Sequence, residues 1–134
     1  MIKVKFQKAH LKFILKRHSD FSSFYQVFVE KSYPHLLELT RSGDTIIDAG
    51  ANIGIFTTIA SVLVGDPGSV IAIEPDPDNL AILKDNIRIN NLKNVTLIER
   101  ALYNLDNVTL NFQQDGVMSK KYYSIQTTQT VEFL

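Results

Sequence analysis

Two acids and two glycines carry the chemistry that this chain can do. In Asp44-Thr45-Ile46-Ile47-Asp48-Ala49-Gly50-Ala51-Asn52-Ile53-Gly54, a β-branched apolar pair leads into an acid and then a glycine turn. Gly50 lets a ligand approach the backbone closely. From Ile53 the pattern turns helical, with Ile55, Phe56, Ile59, Ala60 and Leu63 at spacings of three and four. A helix start behind a glycine turn offers N–H groups and a positive dipole end to anionic ligand groups. The second acid, Glu74, closes the run Ser69-Val70-Ile71-Ala72-Ile73-Glu74-Pro75-Asp76. A carboxylate at a strand end beside such a turn can accept from a vicinal diol, as in a nucleotide ribose. Asn52 can present its backbone N–H or cap the helix. Plainer roles stay open: Asp48 as a helix cap, Glu74 as a strand end before proline.

The elements that must position these residues follow from pattern. Ile46 and Ile47 suit a parallel strand covered on both faces. Gly65-Asp66-Pro67-Gly68 is a turn, and a second strand runs to Glu74. Asp76 and Pro77 form a cap followed by proline at the first helical position. Leu80, Leu83 and Ile87 give that helix a buried stripe to about Asn91, and Val95-Thr96-Leu97-Ile98 is a third strand. Strand, helix, strand, helix, strand implies an α/β fold, a Rossmann-like parallel sheet with right-handed crossovers. Upstream, Ile2-Lys3-Val4-Lys5-Phe6 and Leu11-Lys12-Phe13-Ile14-Leu15 alternate as a hairpin, with Gln7 to His10 between them. Its lysines read as the wet face of an edge hairpin. Ser19 or Asp20 can cap a helix with Phe21, Phe24, Tyr25, Phe28 and Val29 on its core face. Pro34 breaks that pattern, and Leu36, Leu37 and Leu39 predict a short helix ending near Gly43. Residues 107–112 and 122–131 read as an antiparallel ribbon turning at Asp115-Gly116. The organisation expected is a hairpin and helical cap over 1–43 and a ligand-binding Rossmann-like part over 44–134.

At 134 residues, with 45% apolar, the chain is one domain with a real core. Its formal net charge is zero, so no global field recruits nucleic acid or anionic membrane, and no nucleic-acid partner is expected. With no cysteine, a disulfide scaffold, a thiol nucleophile and a thiolate-bound zinc are excluded. The three histidines, with His18 and His35 among them, lack the spacing of metal ligands. No apolar run approaches the roughly 20 residues of a membrane span. The N-terminus is not a signal peptide. A soluble, cytoplasmic protein is the default expectation.

Asp48-Ala49-Gly50-Ala51-Asn52-Ile53-Gly54 followed by Ile73-Glu74-Pro75-Asp76-Pro77 resembles the S-adenosylmethionine site of class I methyltransferases. More narrowly it is similar to the FkbM-type family, whose motifs read D-x-G-A-N-I-G and E-P-x-P. His18-Ser19-Asp20, Asn86, Asn90-Asn91 and Asn94-Val95 belong to the same resemblance. It implies methyl transfer from a sulfonium, to oxygen, in which the protein mainly supplies positioning. It implies that Asp48 takes the amino group of the methionine part and Glu74 both ribose hydroxyls. It also implies that Gly50 and Gly54 admit the ligand and permit close packing. Glu99 stands where the family has an adenine contact, often asparagine, with Arg100 an equal candidate. The acceptor is expected to be a small molecule, glycan or lipid. The resemblance further implies later parallel strands and an acidic D-V-E-G motif absent from this sequence. The chain is therefore expected to be an N-terminal fragment, inactive alone, and no catalytic residue is assigned. The central strand would keep an open edge, covered by the ribbon or by a second chain in a homodimer. Two other readings compete. A non-catalytic, truncated Rossmann-like interaction domain is one. A nicotinamide dehydrogenase is the other; it wants G-x-G-x-x-G, and counting from Gly50 the other two positions hold Asn52 and Ile55.

Overall fold

The computed structural model describes residues 1–33, 35–102, 109–113 and 122–126, the last two segments as backbone. The expectations at Pro34, at Asn107, at the Asp115-Gly116 turn and over 127–131 lie outside these residues. Among the described residues, no helix is long and apolar enough to cross a membrane.

The chain runs β1 (Ile2–Phe6), β2 (Ala9–Phe13), α1 (His18–Phe28), α2 (Leu36–Leu39), β3 (Thr45–Ala49), α3 (Ile55–Val64), β4 (Ser69–Ile73), α4 (Pro77–Ile89), β5 (Val95–Ile98), β6 (Thr109–Gln113) and β7 (Tyr122–Gln126). β3, β4 and β5 form a parallel sheet in that order, with Asp48 beside Ala72 and Ala49 beside Ile73. Adding strands in one direction with right-handed crossovers puts both connecting helices on one face. Accordingly, Val70 packs with Ala60 and Val64 of α3, and Ala72 with Leu80 and Leu83 of α4. Ile47, on the opposite face, is 45% exposed, so the strand is not covered on both faces among the described residues. β6 and β7 pair antiparallel as a separate ribbon, which in the strand order does not join β3.

The N-terminal hairpin closes more tightly than its sequence predicts. Phe6 pairs with Ala9, so only Gln7 and Lys8 turn, with Gln7 at φ +52°. Leu11 and Phe13 face inward against Ile53, Ile55, Ile59 and Ile82. The outer edge of β2 is held by side chains. Asn90 accepts from the Lys12 N–H (2.8 Å) and donates to the Lys12 carbonyl (2.7 Å). One helical turn earlier, Asn86 accepts from the Ile14 N–H (2.7 Å) and donates to the Ile53 carbonyl (2.8 Å). A helix rises about 6 Å in four residues and a strand about 6.6 Å in two, so the two amides match alternate strand residues.

α1 begins earlier than expected, at His18, because Asp20 caps it from inside. Its carboxylate accepts from the N–H groups of Lys16 (2.8 Å) and Arg17 (2.9 Å). The buried stripe is also narrower than predicted. Phe24, Val27 and Phe28 pack inward, and Phe13 meets both rings edge-on at 5.7 and 5.6 Å. Phe21, Tyr25 and Val29 lie more than half exposed. These three fall at intervals of four, on a flank that the hairpin does not reach. α2 ends at Leu39 rather than near Gly43; Leu36 packs inward while Leu37 and Leu39 face solvent.

Candidate functional site

The loop between β3 and α3 is tied to the end of β4. The N–H groups of Gly50 and Ala51 both donate to the Ile73 carbonyl at 2.9 Å. Gly50 has φ +81°, and a Cβ there would meet nothing within 4 Å, so open space lies over the turn. Asn52 also takes the left-handed conformation, φ +51°. That turns its N–H toward Glu74, which accepts it through Oε2 at 2.7 Å. Its side-chain amide donates to Ser23 Oγ (3.3 Å), linking the loop to α1.

Glu74 is 5% exposed. Its Oε1 accepts from the Asp76 N–H (2.9 Å) and from Asn79 Nδ2 (3.2 Å). With Asn52, three N–H donors hold one carboxylate. Asp76 then caps α4 as expected, accepting from the Asp78 and Asn79 N–H groups.

Asp48 is buried at the carboxyl end of β3, and Thr57 of α3 donates to it at 2.5 Å. Burial pushes its carboxyl above the ordinary value. The Thr57 hydroxyl opposes that rise and the nearby Glu74 charge adds to it. A cavity of about 140 Å³ opens here, lined by Asp48, Gly50, Asn52 and Phe56, with Ser23 and Gln26 of α1 on its other wall.

Gly54 takes a different part. It caps α3 at φ +81°, and a Cβ would lie 2.2 Å from Leu83 Cδ1. Its missing side chain makes room for α4 rather than for a ligand. Glu99 stands just past β5 and pairs with Lys84 Nζ at 2.6 Å, half exposed. Sequence reasoning missed Thr57, Asn79 and Ser23. The i+9 spacing of Thr57 from Asp48 becomes legible only once the strand and helix are known to pack together. Among the described residues, no three His, Asp or Glu side chains converge as a metal site.

The parallel βαβ unit, with a glycine turn between two strand-end carboxylates, defines a class I S-adenosylmethionine-dependent methyltransferase domain. The residues fit that cofactor: open space over Gly50, a buried acid for an ammonium group and a second acid on the neighbouring strand. The profile of the TRM5/TYW2 methyltransferase domain matches residues 22–132, and the chain belongs to that family.

Relatives agree on the class. A protein of Sulfurisphaera tokodaii named as a cobalt-precorrin-6B C(15)-methyltransferase (decarboxylating) is 40% identical over 57 residues, 42% of this chain and 30% of that one. A crystal structure from Clostridium thermocellum, named as an rRNA methylase, is 27% identical at a TM-score of 0.52, covering 55% of this chain and 40% of that one. An S-adenosylmethionine-dependent O-methyltransferase from Thermotoga maritima is 25% identical at a TM-score of 0.52, covering 62% and 33%. The chain thus spans about a third of the curated relative. The expectation of no nucleic-acid partner is overturned, because a protein named as an rRNA methylase shares this fold, which leaves a nucleic-acid substrate open. The zero net charge behind that expectation is a sum over the chain. It hides a hairpin face on which Lys3 opposes Lys12 and Lys5 opposes His10, all exposed.

Proposed function

We propose that this chain is the cofactor-binding part of an O-methyltransferase of FkbM type. The observation that carries the reading is the pair Asp48 and Glu74, on adjacent strand ends either side of Gly50. Asp48 takes the ammonium of the methionine part and Glu74 the ribose. The sequence motifs support the FkbM assignment, and the Thermotoga O-methyltransferase supports oxygen as acceptor atom. Titration with S-adenosylhomocysteine, followed by NMR, tests the reading. Glu74→Ala is expected to weaken binding by about 1.5–3 kcal/mol, the range for a hydrogen bond to a charged group. NADH at micromolar concentration is expected not to compete; displacement by it would favour a dinucleotide site instead.

One observation favours a nucleic acid as the acceptor: the exposed hairpin face sets Lys3 directly opposite Lys12, with Lys5 and His10 paired beside them. Such a face suits a phosphate backbone. Binding of a short RNA that weakens steeply with salt, and is lost in Lys3→Glu/Lys12→Glu, is the expected result. Binding indifferent to those changes would remove the hairpin from that role.

A further inference from the structure

We propose that Arg17 and Asn79 are positioning residues that set how Glu74 meets the cofactor ribose, an inference that rests on the cofactor reading above. Arg17 lies outside the βαβ unit, 62 positions from Asn79 in sequence, yet its Nη2 donates to Asn79 Oδ1 at 2.5 Å. The same guanidinium grips Asp20, through Nε at 3.0 Å and Nη2 at 2.8 Å. Asp20 is 1% exposed and is itself fixed by two backbone N–H groups. The fork of Arg17 is therefore anchored before it reaches Asn79.

A carboxamide has one accepting end and one donating end. With its oxygen held by Arg17, Asn79 must turn its Nδ2 toward Glu74, where it donates to Oε1. Take the guanidinium away and only the carboxylate itself still orients the amide, so the Asn79 side chain loses the anchor that holds Nδ2 on Oε1. Glu74 already accepts from Asn52, Asp76 and Asn79. A carboxylate offers about four lone-pair sites, so about one remains for the ribose, room for one hydroxyl rather than the two that the resemblance implies. Asn79 thereby fixes the direction in which that last site points. The chain Asp20–Arg17–Asn79–Glu74 carries the order of the α1 start into the ribose contact.

The test compares S-adenosylhomocysteine with its 2′-deoxy and 3′-deoxy analogues on the whole chain, by NMR titration. Asn79→Ala leaves the Arg17–Asp20 pair intact, so it is the variant that separates positioning from folding. It is expected to cut the preference for the native ribose by roughly tenfold, the loss of one hydrogen bond to a charged group. Arg17→Met should do the same. Arg17→Lys should not rescue, because an ammonium cannot serve Asp20 and Asn79 from one planar fork. A purely structural role would weaken all three ligands together and leave their ratios unchanged, and that result overturns the proposal. Failure of the wild-type chain to bind S-adenosylhomocysteine would overturn the cofactor reading and this inference with it. Normal binding with an unaltered ratio in Asn79→Ala would overturn this inference alone.

Discussion

Gly54 and Leu83 compete for one volume: a methyl group on the first would sit 2.2 Å from Cδ1 of the second. The glycine of the cofactor motif is thus set by helix packing. Gly54→Ala adds overpacking of about 1–3 kcal/mol to the cost of a left-handed conformation, of similar size. A loss of about 3 kcal/mol in urea denaturation is expected. Leu83→Ala is costly by itself, but in that background Gly54→Ala should cost less, by the steric share; strictly additive losses would show that the two do not compete.

Asp48 should be a stability liability that binding repays. Its carboxyl is raised in the folded chain, chiefly by burial. The folded state therefore holds the proton more tightly than the unfolded one. Above the ordinary value of 3.8 the unfolded chain ionises first, and stability falls with pH until the raised value is passed. Asp48→Asn should raise the melting temperature at pH 7 and change it little below pH 3.8, while weakening cofactor binding. A destabilised Asp48→Asn at neutral pH would contradict this account.

Asp20 should behave in the opposite sense. Burial alone would raise its carboxyl. Backbone N–H donors from Arg17 and Lys16 and the Arg17 guanidinium outweigh that and hold it below 3.8. Its contribution is present above 3.8 and lost as pH falls through the lowered value. Asp20→Asn is expected to cost about 2 kcal/mol at pH 7 and less in acid. Thermal melts at several pH values check the slope.

The sheet and its helices were legible because their signals are local. Asp76-Pro77 announces a helix start, and the β4 and β5 strands follow from apolar runs between turns. Asp48 and Glu74 were legible as candidates through their places at strand ends. What stayed hidden depends on contacts distant in sequence. Periodicity could not separate Phe24 and Phe28 from Phe21 and Tyr25, because the face chosen depends on where Phe13 arrives. Asn86, Asn90 and Asn94 stood out as part of a familial pattern, yet their work is to clasp backbone, Asn94 on the carbonyls of Ser61 and Gly65. An asparagine announces that it can hydrogen-bond, never to which peptide.

The clasp of β2 by Asn86 and Asn90 also orders events in time. Its hydrogen bonds join positions 72 and 78 residues apart, whereas the β1–β2 hairpin closes across a two-residue turn. Hairpins form in about 1–10 µs, and distant pairs wait for the chain between them to be ordered. The hairpin is expected to dock late, after α4 exists to receive it. Asn86→Leu, which strands a buried carbonyl and an amide, should then speed unfolding while leaving the folding rate almost unchanged. A stopped-flow chevron in which the refolding arm moves instead would place the clasp in the nucleus and reverse that order.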